Sequence, residues 1–187
     1  MRLFVAIELS PSARAHLQRV QDALRPLAGR TSFTKLENLH LTVKFLGEVP
    51  QQQVAELCEK LSSVPKPGEM DLAAGGLVCL PERGQVRILG AAITSPPQQL
   101  LRLQADVETA ATFFGFPREN RAYLPHITLG RVRDPLPGSM RPKLIQATAG
   151  IFPGPPAHIG HFVLMESRLS NAGAEYTPLA RFDINVP

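Results

Sequence analysis

The chain has 187 residues, of which 44% are apolar and 19% charged, and a formal net charge of +4. That length buries a core without disulfide staples and suits one domain, or two small lobes sharing one interface. No apolar run approaches the length of a membrane span, and no Lys/Arg tract marks an extended nucleic-acid surface, so the charge is only a bias toward RNA or nucleotides.

The opening run "RLFVAIEL" is rich in β-branched and aromatic residues and closes at Ser10-Pro11, which predicts a strand. It is too short for a signal peptide and no small-residue cleavage site follows it. Ser10 is expected to cap a helix with Pro11 at its first position, and Ala13, Leu17, Val20 and Leu24 recur at helical spacing to about Leu27. "HLTVKFL" reads as a strand, "VPQQQVAELCEKLSSV" as a helix that Pro65 ends, and "DLAAGGLVCL" as a strand with a glycine irregularity.

The order then begins again. "QVRILGAAIT" is a strand, and "SPPQQLLRLQADVETAATFFGF" a long amphipathic helix again opened by Ser-Pro. "HITLGRV" is a strand and "SMRPKLIQATAG" a short helix started or kinked at Pro142. "AHIGHFVLMESRL" is a strand, and "AEYTPLARFDINV" returns beside it as a hairpin through "SNAGA". The prolines, 18 in all, gather in the connections.

The order β-α-β-α-β therefore occurs twice, and a His-x-Thr strand holds the same place in each half, at His40 and at His126, a shift of 86. The same shift lays "RLFVAIELSP" over "ILGAAITSPP". The expected fold is α+β and bilobal: two pseudo-symmetric βαβαβ halves whose antiparallel-rich sheets face a central cleft. The whole chain is read as one domain with lobes near 1–83 and 84–187, and with strands exchanged between them.

Side chains alternate along a strand, so His40 and Thr42 share one face while Leu41 and Val43 take the other, and His126 and Thr128 likewise oppose Ile127 and Leu129. Facing across a cleft, two imidazoles can take a proton from a nucleophile and give one to a leaving oxygen. The hydroxyls of Thr42 and Thr128, and a guanidinium, can meet the charge that develops on phosphoryl oxygens. Arg131 is the candidate guanidinium, but its odd offset from His126 puts it nominally on the wrong face. It needs the strand end, or a bulge at Gly130, to turn inward. At the 86-residue shift Arg131 matches Phe45, whose ring could stack on a base. Taken alone, Phe45 is better read as core and Arg131 as surface charge.

Bland readings hold elsewhere. A lone His-x-Thr carries little weight; the pair at equivalent places carries much more. His16 is expected to be solvated on its helix, and His158 and His161 to have no role. Cys58 and Cys79 lack a CxxC spacing and read as free buried thiols of a cytoplasmic protein. No third ligand accompanies the two histidines, and Glu37 and Asp134 are not at ligand spacing, so a mechanism without metal or cofactor is favoured. A Ser-His-Asp hydrolase is disfavoured, since no GxSxG elbow is present.

Together "RLFVAIELSP", "ENLHLTVKFLGEV", "PHITLGRV" and "LMESRL…YTPLARF" resemble, in order and over nearly the whole chain, the 2H phosphoesterase superfamily. Within it they are most similar to the RNA 2′,3′-cyclic phosphodiesterases, also called 2′–5′ RNA ligases. The resemblance implies metal- and ATP-independent hydrolysis of RNA 2′,3′-cyclic phosphate ends to 2′-phosphomonoesters, and reversible 2′–5′ joining of tRNA halves. It implies His40 as acid toward the departing O3′ and His126 as base. It also implies that Thr42, Thr128 and Arg131 bind the phosphate and that Phe45 touches the terminal nucleoside. Met165 stands where relatives often carry an aromatic, and Phe33 where tryptophan is frequent. The Glu166-Ser167-Arg168 run reads equally well as cleft support or as a structural salt bridge. Two other functions stay open: action on 2′–5′ oligoadenylates or small cyclic nucleotides, and RNA binding without turnover, against which the intact His, Thr and Arg set argues. A monomer without membrane attachment is expected, since neither half shows a spare apolar helix face.

Overall fold

A computed structural model describes residues 1–170 and 173–185. In chain order the elements are β1 (Arg2–Glu8), α1 (Pro11–Leu24), β2 (Thr31–Phe33), β3 (His40–Glu48), α2 (Val54–Ser62), β4 (Met70–Leu72) and β5 (Gly76–Leu80). There follow β6 (Val86–Ala92), α3 (Gln98–Thr112), β7 (His126–Leu136), α4 (Arg141–Ala149), β8 (Ala157–Ile159), β9 (His161–Ser170) and β10 (Gly173–Asp183). Among the described residues no helix is long and apolar enough to cross a membrane.

The α+β class and the antiparallel pairing expected from the sequence are both present. The strands run β10-β9-β1-β3-β7-β6-β5, with β2 also on β7, and β4 pairs β8 in a separate ribbon. The two halves of the sheet meet at one ladder pair, Leu41 with Ile127. Beyond that pair β3 parts from β7, and β2 takes its place along residues 130–132. The gap is closed from below by Gln21 of α1, whose side-chain amide donates to the carbonyls of Thr34 (2.8 Å) and Leu129 (2.9 Å). Without it, two carbonyls at the parting of the strands would lose a donor.

One sheet face is covered by helices. Leu3, Val5, Ile7, Leu41, Leu89 and Ile127 pack there against Leu17, Val20, Leu100, Leu103 and Val107, and each fully buried leucine contributes roughly 1.5–3 kcal/mol. The helices are crossed over: α1 lies under β7, and α3 under β3. On the other face a small cluster of Phe4, Ala6, Val163 and Met165, joined by Tyr176, is all the buried apolar packing among the described residues.

Several expectations are corrected. Ser10 caps α1, accepting from the Ala13 amide at 3.2 Å, but Ser95 caps nothing: α3 starts at Gln98 after Pro97, which has no side chain to accept a bond. The repeat shift is not uniform. Glu8 faces His40 and Ala92 faces His126, so the first strands are related by 84 residues and the motif strands by 86. "AHIGHFVLMESRL" breaks at Gly160, whose carbonyl accepts from Ile184, into β8 and β9 in different sheets. His16 is buried rather than solvated, 5.8 Å from the Phe152 ring. The "SNAGA" turn includes residues 171–172, which lie outside the described residues.

Candidate active site

The Leu41–Ile127 pair is also the centre of the site. Both side chains point into the core. His40 and Thr42 flank Leu41 on β3, and Thr128 and His126 flank Ile127 on β7, so the antiparallel approach at that pair brings His40 toward Thr128 and Thr42 toward His126. The four polar side chains therefore lie together on the face free of helices, with the two imidazoles diagonal to one another across the pair.

Both rings are fixed the same way. His40 Nδ1–H donates to the carbonyl of Asn38 (2.7 Å), and His126 Nδ1–H to that of Leu124 (2.8 Å), each two residues earlier. A carbonyl only accepts, so Nδ1 carries the proton and Nε2 is the nitrogen left for chemistry. His40 Nε2 is also 3.1 Å from the Thr42 hydroxyl.

Phe45 and Arg131 reach this face through a repeated irregularity. The β1–β3 ladder slips by one residue between Val5–Lys44 and Ala6–Thr42, leaving Val43 extra. The β6–β7 ladder slips between Leu89–Gly130 and Gly90–Thr128, leaving Leu129 extra. Each bulge reverses the alternation, and ladder partners share a face. Phe45, paired with Phe4, and Arg131, paired with Ile88, thus join Thr42 and Thr128. The bulge that Arg131 requires is there, one residue before Gly130. Phe45 is 64% exposed, so it is not core, and its neighbour Lys44 turns into the interior.

The two imidazoles differ in surroundings. His40 lies against Phe4 (4.8 Å) and the edge of Tyr176 (5.2 Å). The start of β10 lies on this side, where Asn38 Nδ2 donates to the Ala174 carbonyl at 2.7 Å. Burial lowers the His40 pKa, and the Asn38 carbonyl opposes that shift. His126 instead stands over Gly90, where a Cβ would come within 3.1 Å of its Cδ2. The Tyr123 hydroxyl, kept protonated because burial pushes its pKa up, donates to the Thr42 carbonyl at 2.8 Å and ties the segment before His126 to β3.

Sequence reasoning missed Phe4, Gly90, Tyr123 and Tyr176. The run "YTPLARF" signalled a strand but not that its tyrosine returns to His40. The remaining candidates lie elsewhere. Arg168 pairs with buried Glu166 at 3.0 Å, which makes that run a structural salt bridge. Met165 is in the small cluster with Phe4, and Phe33 packs under Arg25. His158 is exposed beside Asp71 and Glu69, and its pKa is raised, first by the hydrogen bond to Asp71. His161 meets Glu8 at 3.3 Å. Cys58 and Cys79 are free thiols whose pKa burial raises. Among the described residues no three His, Cys, Asp or Glu side chains gather as a metal site.

Comparison with known proteins gives concordant matches. The family model described as LigT like phosphoesterase matches residues 7–89 and 93–176, two stretches whose starts lie 86 apart. The RNA 2′,3′-cyclic phosphodiesterase of Methanothermobacter thermautotrophicus is 28% identical over 185 residues, covering 97% of this chain and 98% of its own. The enzyme of that name from Thermus thermophilus is 30% identical over 193 residues, covering 98% and 90%. The crystal structure of E. coli LigT complexed with 3′-AMP superposes with a TM-score of 0.76 at 27% identity, covering 97% of each chain.

Proposed function

Because the chain belongs to the LigT-like phosphoesterase family, we propose that it is an RNA 2′,3′-cyclic phosphodiesterase that uses no metal. The observation that carries this reading is the matched pair of imidazoles, each with Nδ1 tied to the carbonyl two residues earlier and Nε2 left for chemistry. Relatives that span nearly the whole chain bear that activity in their names, and LigT of E. coli is complexed with 3′-AMP, a nucleoside monophosphate.

In the proposed reaction water attacks phosphorus and the P–O3′ bond breaks. One imidazole takes the proton of the water and the other gives a proton to O3′, leaving a 2′-phosphate and a 3′-hydroxyl. Thr42, Thr128 and Arg131 meet the charge on the non-bridging oxygens, and Phe45 carries the terminal nucleoside. With a 5′-hydroxyl in place of water the same steps form a 2′–5′ linkage without ATP. The resemblance implies His40 as acid and His126 as base. The burial of His40 argues for the opposite order, because a ring held neutral is ready to take a proton and must gain one before giving it.

His40→Ala and His126→Ala are each expected to lose at least a thousandfold in kcat/KM on cyclic-phosphate RNA, with unchanged circular dichroism and with chelator in every assay. Full activity in either variant overturns the assignment. In wild type, kcat/KM falls as pH drops through a pKa below 6.5, the depressed one of His40. A substrate whose departing 3′-oxygen is replaced by sulfur needs no acid. If His40 is the base, the His126 variant recovers on it and the His40 variant does not; the reverse restores the order implied by resemblance.

A further inference from the structure

Beyond Arg131 the same face of β7 carries a second guanidinium. Val132 turns into the core, so Arg133 returns to the face of Arg131 two residues on. In a strand that step is roughly 7 Å, comparable to one backbone step of an extended single strand of RNA. Arg133 Nε donates to the Ser32 hydroxyl at 2.7 Å, and Ser32 is the ladder partner of Arg131 on β2. One donor of the fork is thus fixed while the terminal nitrogens face solvent.

The charge is not spent internally. Asp134, the next residue, bridges Arg30 at 3.3 Å. Among the described residues neither Arg131 nor Arg133 makes an ion pair. A guanidinium oriented by a hydroxyl keeps its full charge for an incoming anion, and its planar fork suits phosphate oxygens. The face that joins it to the patch is lined by Ile88 and Gly90, which offer no competing charge.

We infer that Arg133, oriented by Ser32, holds the first internal phosphodiester of an RNA whose terminal cyclic phosphate lies on the His40–His126 patch. The site then takes RNA ends in preference to cyclic mononucleotides. This rests on the proposed function and narrows its substrate class.

The test compares adenosine 2′,3′-cyclic phosphate with a short oligoribonucleotide ending in a 2′,3′-cyclic phosphate. In Arg133→Ala the ratio of kcat/KM, oligonucleotide over mononucleotide, falls about tenfold through KM, and Arg133→Lys recovers part of it. Arg131→Ala lowers both rates and leaves the ratio as it was. The log–log dependence of oligonucleotide KM on salt loses about 0.7 in slope in Arg133→Ala, one phosphate contact of a single strand. An unchanged ratio in Arg133→Ala overturns the inference, while wild-type turnover of both substrates leaves the proposed function standing. If wild type turns over neither, the proposed function fails, and binding decides the inference. The Kd of an oligonucleotide ending in a 2′-phosphate, relative to 2′-AMP, must rise about tenfold in Arg133→Ala, and no rise overturns it.

Discussion

Gly90 is where a single missing methyl matters most. It pairs with Thr128 and lies beneath His126, and a Cβ there would stand 3.1 Å from His126 Cδ2 and 3.1 Å from Val78 Cγ1. The corresponding place in the other half is Ala6, paired with Thr42, and there His40 leans on Phe4 instead. Its φ is not left-handed, so alanine suits the backbone, and glycine inside a strand costs about 0.5–1 kcal/mol relative to alanine. Gly90→Ala is therefore expected to keep or slightly raise the Tm while lowering kcat at least tenfold, by moving the His126 ring a few tenths of an ångström. Displacement of the His126 ring resonances alone among the imidazoles is the accompanying NMR sign. Full kcat in the alanine variant would mean that the ring has room to spare.

At the level of elements, the bulge in β3 does two jobs with adjacent side chains. It presents Phe45 on the polar face and turns Lys44 inward, where Nζ meets Glu108 of α3 and the Pro117 carbonyl, both at 3.0 Å. Both charges are nearly buried, 6% and 10% exposed at their side chains. Removing one partner strands the other, so Lys44→Met is expected to cost about 3–5 kcal/mol, and Lys44→Met with Glu108→Leu much less. Urea midpoints of the two variants check this; equal losses would show that the methionine itself is the problem. Sequence could not place this pair. Alternation along "HLTVKFL" sends Lys44 and Phe45 each to the wrong face, because the slip is decided by the partner strand. The motif strands and the long helices were legible, since periods of two and 3.6 are written into their own residues. β2 was not: three residues, Thr31–Phe33, become a strand only because β3 has left the edge of β7 free. The histidines and threonines of the candidate site were legible as a repeated tripeptide. Phe4 and Tyr176 were not, because what brings them to His40 is strand pairing across the sheet, in the case of Tyr176 from 136 residues away (176 − 40).

Across the whole molecule, the repeat in sequence is not a repeat of separable bodies. α1 follows β1 in the chain yet lies under β7, where Gln21 donates to the Leu129 carbonyl. α3 follows β6 yet lies under β3, where Glu108 holds Lys44. β9 and β10 continue the sheet from the edge of β1. A cut in the exposed loop at residues 81–85 would give fragments 1–83 and 84–187, each keeping a helix whose strand went with the other piece. Leu17, Val20 and Leu24 in the first fragment, and Leu100, Leu103 and Val107 in the second, would then face water, at roughly 1.5–3 kcal/mol for each side chain. That loss is comparable with a whole-domain stability of about 5–15 kcal/mol, so neither fragment is expected to fold by itself. Each alone is expected to bind a hydrophobic dye and to unfold without a cooperative transition. Mixed in equal amounts, they should regain both a single sharp transition and hydrolysis of cyclic-phosphate RNA, because His40 is on one and His126 on the other. Cooperative unfolding of either fragment by itself would show that the crossed helices are dispensable to the halves. Restored folding without restored hydrolysis would separate the architecture from the reaction proposed for its centre.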